Sequence, residues 1–206
     1  MRSVAKAKFP APSAVTGLYD ATGHRLYLTA EERAAFLVAA QHFPREVRTL
    51  CVLLHDTGCR ISEALSLTAN RMDFSGKAVV FETLKKRKRG VFRTVPVPDT
   101  TLDLLAMVHG LRERKKGKQK PAALWPWSRA TAWRRVLEVM DAAKIKDGPH
   151  KCPKGLRHGY GVHAINRNIP LNMLSKWMGH ASLEVTAIYA NALGEEQRNV
   201  AARMWT

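Results

Sequence analysis

The chain has 206 residues, 46% of them hydrophobic, which is enough to bury one globular core and argues against general disorder. It carries 34 basic and 17 acidic residues, a formal net charge of +17. A surface this basic attracts polyanions, above all nucleic acid, although ribosome-associated and merely basic proteins share the balance. No run reaches the roughly 18 apolar residues of a membrane helix, and no secretion signal is recognisable.

Three cysteines bear on compartment and metal binding. Cys51, Cys59 and Cys152 are odd in number and form no CxxC pair, which is typical of a reducing cytosol. The segment "PHKCPKGLRHGYGVH" raises the alternative of a zinc site, since it holds three histidines and a cysteine. Because His158 and His163 are five residues apart, they would not share a helix face, and we expect no metal.

The chain is predicted to begin with an arm and continue as helices. Residues 1–28 hold prolines and small residues, and we expect a flexible arm there. Thr29 and Glu32 match a capping box at the start of the first helix. Apolar spacing with proline and glycine boundaries predicts further helices at 44–57, 60–67, about 100–111 and 128–145, and from about 154, 171, 182 and 195.

Two β-rich segments interrupt the helices. "GKAVVFETL" (76–84) and "GVFRTVPVP" (90–98) flank "KKRKR" (85–89), which predicts an antiparallel hairpin with a basic tip. A second charged segment, "RERKKGKQKP" (112–121), predicts a loop-like connector. The predicted fold class is therefore mainly α with one small antiparallel β-sheet (α+β).

Four segments carry candidate functional side chains, and each also has a purely structural interpretation. Arg60 in "TGCRISEAL" starts a helix, where it could bind a phosphate or simply pair with Glu63. The basic tip could follow a DNA backbone or form a solvated turn. "KGLRHGYGVHA" places Lys154 and Arg157 on one helix face, within reach of one phosphate.

The fourth segment, "WMGHASLEVTAIYA", adds His180 beside a glycine turn, a helix cap at Ser182, and Tyr189. A structural histidine and a buried tyrosine with one hydrogen bond are the alternatives here.

Together these segments resemble the tyrosine recombinase (phage-type integrase) family. That family carries an arginine in a turn like "TGCRISEAL", a lysine on a hairpin strand, a [His/Lys]-x-x-Arg-His box, here "KGLRH", and a GHxSxxxTxxY box, here "GHASLEVTAIY". Order and spacing agree from about residue 29 to 193. The resemblance implies the family's DNA breaking-rejoining catalytic-domain fold over 29–193, followed by a C-terminal helix at 194–206.

The resemblance also implies a catalytic set, consisting of Arg60, Lys85, Lys154, Arg157, His180 and Tyr189. Tyr189 would attack a DNA phosphodiester, giving a 3′-phosphotyrosine and a free 5′-hydroxyl. The arginines and the histidine would hold the phosphate oxygens, Lys85 would protonate the leaving oxygen, and Lys154 would assist proton transfer. We expect no cofactor, metal or ATP, because arginines supply permanent cations and the phosphotyrosine conserves the bond energy.

Some assignments stay open at this level. Lys154 replaces the family's common histidine, so His150 and His158 are alternatives for its role, while Lys86 and Lys88 compete with Lys85. Side chains expected to contact DNA are Lys86, Arg87, Lys88, Arg89, Lys115, Lys116 and His158.

We therefore expect a site-specific recombinase or integrase that acts on double-stranded DNA with a specific recombination site, aided by accessory DNA-bending proteins. The alternatives are a type IB-like DNA topoisomerase and a catalytically silent DNA-binding protein on the same scaffold.

The expected protein is cytoplasmic and nucleoid-associated, encoded by a prokaryote or a mobile element, and makes no membrane contact. It would be a monomer when free and a tetramer on paired sites. Residues 194–206 would bury an apolar face that includes Met204 and Trp205, either by exchange between protomers or by docking on their own domain. About 28 residues before the catalytic domain are too few for the family's usual DNA-clamping domain, which indicates either a minimal recombinase or a piece of a longer chain.

Overall fold

Short helices and one small sheet make up the computed structural model, which describes residues 17–83, 90–112, 122–191 and 195–205. The helices are α1 (Ala30–Ala40), α2 (Arg45–Thr57), α3 (Ile61–Leu65), α4 (Asp99–His109), α5 (Arg129–Ala142), α6 (Pro153–Asn166), α7 (Leu171–Met178), α8 (Glu184–Ala187) and α9 (Glu195–Ala202). The strands are β1 (Met72–Asp73), β2 (Ala78–Glu82) and β3 (Phe92–Pro96). The predicted fold class, mainly α with one small antiparallel sheet, is confirmed.

Local sequence signals account for most helix boundaries. The predicted capping box is present at α1, where Thr29 accepts from the Glu32 amide and Glu32 accepts from the Thr29 amide. Gly58 ends α2 in the left-handed conformation, with a φ of 57° that glycine tolerates without strain. The Ser128 side chain caps α5 by accepting from the amide of Thr131.

Two predicted boundaries are wrong. Helix α5 ends at Ala142 rather than near Ile145, because Lys144 adopts a left-handed φ of 54° that interrupts the helix. Ser182 does not cap α8; the cap position is Leu183, whose side chain makes no capping hydrogen bond.

The sheet is an antiparallel meander in the order β1-β2-β3. Val79 faces Val95 and Phe81 faces Arg93, so one face of the hairpin points into the protein. The sequence does not predict strand β1, because two residues are too few to show an alternating pattern. The basic segment 85–89 and most of the 112–121 connector lie outside the described residues.

Two hydrophobic clusters meet at α6. The larger cluster joins α1, α2, α4, α5 and the sheet, and Leu156 is its contribution from α6. The smaller cluster contains Val162 of the same helix together with Leu18, Tyr27, Leu174, Met178 and Tyr189. Consequently α6 lies between the two clusters, and its first two turns form the bottom of the candidate site.

The described part of the expected arm is packed rather than loose. Leu18 is fully buried and Tyr27 is 2% exposed, and both belong to the smaller cluster. The Leu28 amide donates to the carbonyl of Gly155, which joins this segment to α6 at 3.1 Å. Part of residues 17–28 is therefore packed on the domain, and flexibility of the arm stays a prediction.

Helix α9 contacts α6 of its own domain, and Arg203 donates to the Ile165 carbonyl at 3.4 Å. Met204 and Trp205, for which the sequence predicts a buried face, are 81% and 78% exposed within the single chain. Exchange of this segment between protomers stays a prediction. Over the described ranges, no helix has the length and apolar character needed to cross a membrane.

Candidate active site

The first wall of the site is the turn between α2 and α3. The left-handed Gly58 reverses the chain so that Arg60 becomes the N-terminal cap residue of α3. The Arg60 amide donates to Glu63 Oε2 at 2.8 Å and Arg60 Nη1 donates to Glu63 Oε1 at 3.0 Å. The structural alternative for Arg60, an ion pair with Glu63, is therefore present, yet the same arginine also lines the cavity described below.

Helix α6 supplies the floor. The Cys152 thiol accepts from the Gly155 amide and Pro153 occupies the first turn, which fixes the start of the helix. Lys154 is exposed, whereas Arg157 is 7% exposed and donates to the Gly58 carbonyl at 2.6 Å and the Met178 carbonyl at 2.8 Å. Burial, followed by the charge of Arg60, lowers the pKa of Arg157 to about 10, so the guanidinium stays charged at neutral pH.

His180 follows the left-handed Gly179 that ends α7. Its Nε2 atom lies 3.0 Å from Arg157 Nη2, and its Nδ1 atom lies 2.8 Å from Thr186 Oγ1. Since a guanidinium can only donate, Nε2 accepts and Nδ1 carries the proton. Burial, followed by the neighbouring Arg157, lowers the pKa of His180 to about 3, which is consistent with a neutral ring.

Tyr189 lies in a 3₁₀ turn (Ile188–Asn191) directly after α8 and is 1% exposed. Its ring is stacked near the ring of His180, with centroids 6.0 Å apart and an interplanar angle of 22°. Its hydroxyl lies 3.3 Å from His158 Nδ1. Burial raises the pKa of Tyr189 to about 12, although Arg157 and Arg60 act in the opposite direction.

These side chains open onto one cavity of about 410 Å³. Its lining residues are Arg60, Ile61, Ser62, Arg129, Trp133, Pro153, Lys154, Arg157, His158, His180, Val185, Ile188 and Tyr189. As far as the described residues show, the lining includes three arginines and a lysine but neither Asp nor Glu, which suits a site for an anionic group such as a phosphate.

Five of the six predicted catalytic residues thus line one cavity, although they come from three separate segments of the chain. The sixth, Lys85, lies outside the described residues, as do Lys86, Arg87, Lys88, Arg89, Lys115 and Lys116.

Two histidines differ from their predicted places. The sequence predicts a DNA contact for His158, but this residue is 8% exposed and lies beside the Tyr189 hydroxyl. His150, an alternative for the role of Lys154, lies 3.7 Å from Glu32 and is not in the cavity lining.

The sequence does not predict two further side chains of the cavity. Arg129 and Trp133 of α5 line the cavity, and the Arg129 guanidinium lies 5.7 Å from the Trp133 ring centroid. Because Arg129 and Trp133 are four residues apart on an amphipathic helix, their spacing indicates only that the two side chains lie on the same helix face. Among the described residues, we find no cluster of three or more His, Cys, Asp or Glu side chains that could hold a metal ion.

Residues 26–196 match the phage integrase family. The tyrosine recombinase XerA of Pyrococcus furiosus is 30% identical over 166 residues, which cover 76% of this chain and 54% of that protein. A resolvase of Escherichia coli K12 is 32% identical in an alignment 206 residues long. The alignment covers 86% of this chain and 74% of the resolvase. This chain therefore spans little more than half the length of the XerA protein.

Solved structures agree on the fold. The crystal structure of a XerA recombinase superimposes with a TM-score of 0.71 at 20% identity, covering 87% of this chain and 64% of that one. The catalytic domain of bacteriophage HP1 integrase gives a TM-score of 0.57 at 22% identity, covering 85% of this chain and 93% of that domain. With a family match over most of its length and a 32% identical resolvase aligned over 86% of it, the chain belongs to the phage integrase family.

Proposed function

We propose that this chain cleaves and rejoins double-stranded DNA at a specific site through a 3′-phosphotyrosine intermediate, as a site-specific recombinase or integrase. One observation carries the proposal: Tyr189 lines the same cavity as Arg60, Arg157 and His180. A buried phenol with only a structural role would have no need of these charged neighbours.

The arginines supply the electrostatic part of the mechanism. When Tyr189 attacks, phosphorus becomes pentacoordinate and negative charge grows on the two non-bridging oxygens. Arg60 and Arg157 would stabilise that charge with fixed cations, and the buried position of Arg157 makes its interaction stronger than it would be in water. The hydrogen bonds from Arg157 to the Gly58 and Met178 carbonyls hold its guanidinium in place before DNA arrives, so little reorganisation is needed.

The Tyr189 proton needs an acceptor, because a phenol with a raised pKa is a weak nucleophile. His158 Nδ1 is 3.3 Å from the hydroxyl and would receive the proton as the oxygen–phosphorus bond forms. Burial, followed by the charges of Lys154 and Arg157, lowers the pKa of His158 to about 4, so its ring is neutral before the attack. Because this also makes it a weak base, it would take the proton only as the oxygen–phosphorus bond forms and the phenol becomes more acidic. Proton transfer is the alternative that the sequence leaves open for His158, beside the DNA contact that it also predicts.

The leaving group and the remaining residues complete the reaction. As the bond from phosphorus to the 5′-oxygen breaks, that oxygen takes a proton from Lys85, which makes a free 5′-hydroxyl. Exposed Lys154 would hold a neighbouring phosphate at the rim of the cavity and assist proton transfer. His180 would donate to the scissile phosphate once its proton moves from Nδ1 to Nε2, the atom that now accepts from Arg157.

The test is a covalent trap. The protein is incubated with a pool of nicked duplexes of randomised sequence. The nick lies just beyond the scissile phosphate, so the short strand that carries the freed 5′-hydroxyl diffuses away after cleavage and the strands cannot rejoin. Adducts are then recovered under denaturing conditions. We expect an adduct with the natural sequence and none with Tyr189→Phe, because the phenylalanine lacks the attacking oxygen. Tyr160→Phe is the matched control: Tyr160 lies on α6 but outside the cavity lining, so this variant should keep forming the adduct.

The trapped DNA also separates the alternatives. Recovered molecules that share a sequence support site-specific recombination, whereas adducts of every sequence together with relaxation of supercoiled plasmid would favour a topoisomerase. DNA binding without any adduct would favour the silent DNA-binding protein and overturn the proposal.

A further inference from the structure

A buried carboxylate lies behind Arg60. Glu63 is 1% exposed, and besides its two hydrogen bonds from Arg60 it accepts two from Arg93 of β3. Arg93 Nη2 donates to Glu63 Oε2 at 2.6 Å and Arg93 Nη1 donates to Glu63 Oε1 at 3.1 Å. This arrangement is the bidentate geometry that a planar guanidinium forms with a carboxylate.

Arg93 also reaches two other segments. Its Nε atom donates to the carbonyl of Trp177 at 2.7 Å, three residues before His180. Its Nη1 atom lies 3.5 Å from Thr83 Oγ1, at the end of β2. A Cβ atom at Gly179 would lie 3.1 Å from the Arg93 side chain, so the turn that leads into His180 packs directly on this arginine.

These contacts do not belong to the cavity itself, because neither Arg93 nor Glu63 is among its lining residues. Arg93 is 7% exposed and would not touch the DNA phosphate. Burying an ion pair is costly unless its geometry is good and its other donors are satisfied, and here the three guanidinium nitrogens all have acceptors. Arg93 and Glu63 therefore support the residues of the site and do not contact the substrate themselves.

We propose that Arg93 is a positioning residue, which sets Arg60 through Glu63 and His180 through the Trp177–Gly179 turn so that both converge on one phosphate. The inference rests on the proposed function. A lysine at position 93 would keep the positive charge but has one nitrogen in place of the planar fork, so it cannot hold Glu63, Trp177 and Thr83 in register.

The test compares Arg93→Lys and Glu63→Asp with the unmodified chain in single-turnover cleavage of a duplex recovered by the covalent trap. Glu63→Asp keeps the ion pair but shortens its reach by one methylene group. We expect the rate at saturating protein to fall on the order of tenfold or more in each variant, because small displacements of reacting groups are costly. DNA affinity should change less than about twofold, since neither residue faces the DNA.

A second readout separates positioning from a general loss of structure. In a duplex with a methylphosphonate at the scissile position, a methyl group replaces one non-bridging oxygen and removes the charge that Arg60 would stabilise. If Arg93 acts through Arg60, the defect of Arg93→Lys should shrink on this neutral substrate. A purely structural defect would be the same size on both substrates.

Arg135→Lys is the matched control, because Arg135 forms an exposed pair with Glu138 at 2.9 Å and at the same spacing as Arg60 and Glu63. Wild-type cleavage rates in both test variants would overturn the proposal, and so would an equal loss on the two substrates. If Arg93→Lys does not fold, Glu63→Asp decides by the same criteria. Absence of any adduct from the unmodified chain would instead overturn the proposed function.

Discussion

The ring of Tyr189 lies against the backbone of Gly161, where an added Cβ atom would come within 2.6 Å of three ring carbons. Real Cβ contacts are not this short, so any other residue at 161 would displace the ring. Gly161 thus makes room on α6 for Tyr189 in the position that brings its hydroxyl next to His158.

Replacing Gly161 with alanine should therefore move Tyr189 without removing any catalytic group. We expect Gly161→Ala to slow covalent attachment to DNA by about tenfold or more, because the hydroxyl no longer meets its proton acceptor. The measurement is single-turnover adduct formation, with filter binding to verify that DNA affinity is retained. Asn166→Ala, also within α6, should cleave normally; equal rates for Gly161→Ala and the unmodified chain would contradict the assigned position of Tyr189.

Arg157→Lys should be almost as damaging as loss of the whole side chain. A lysine retains the charge but cannot span the Gly58 carbonyl, the Met178 carbonyl and His180 Nε2 from one planar group. We expect cleavage to fall by a factor on the order of 10² or more, with much weaker effects on DNA binding. Rapid-quench measurement of adduct formation tests this, and a rate close to that of the unmodified chain would show that Arg157 does not stabilise the reacting phosphate.

His158 should make stability depend on pH. Its pKa is about 4 in the folded protein and about 6.5 when exposed, so between these values the unfolded chain binds the additional proton. The free energy of unfolding should therefore fall as the pH drops from 6.5 towards 4, by at most about 3 kcal/mol from this group.

His158→Gln should flatten that dependence, as measured by urea denaturation at pH 7 and pH 4.5. The matched control is His42→Gln, which changes a histidine that is exposed in the folded protein. Identical curves for His158→Gln and the unmodified chain would show that burial of this imidazole does not contribute to acid sensitivity.

The basic segments should bind DNA through its backbone. Neutralising Lys86, Arg87 and Lys88 together should reduce the slope of log affinity against log salt concentration by about one unit for each phosphate that the protein no longer neutralises. Fluorescence anisotropy over a range of salt concentrations measures the slope, and Arg45→Gln serves as the single-charge comparison. An unchanged slope would mean that the segment is a solvated turn.

Much of the site can be anticipated because its residues occur in three recognisable segments. The sequence predicts that the Lys-x-x-Arg-His box and the final Gly-His to Tyr box act together, and the structure has Arg157 in hydrogen-bond contact with His180. Arg60 illustrates why local patterns leave a choice open: the pair with Glu63 and the approach to the cavity are alternatives in the sequence, and both occur.

Other features have no local signal. Arg93 stands in "VFRTVP", where strand alternation places it on the same face as Val95, and an arginine is not expected on an inward-facing side. It is buried because Glu63, 30 positions earlier, offers a carboxylate inside the protein. Likewise Gly161 is one of several glycines in α6, and only the distant Tyr189 shows why a side chain is not tolerated there.

Tyr189 also comes later in the chain than each group that lines its cavity, and Arg157 closes onto Gly58 across 99 positions. During synthesis the ribosome therefore releases the phosphate-binding groups first and the attacking oxygen last. Under the proposed function, a chain that stops before residue 189 would lack both the attacking oxygen and the buried ring that completes the smaller hydrophobic cluster, so it could not cut DNA.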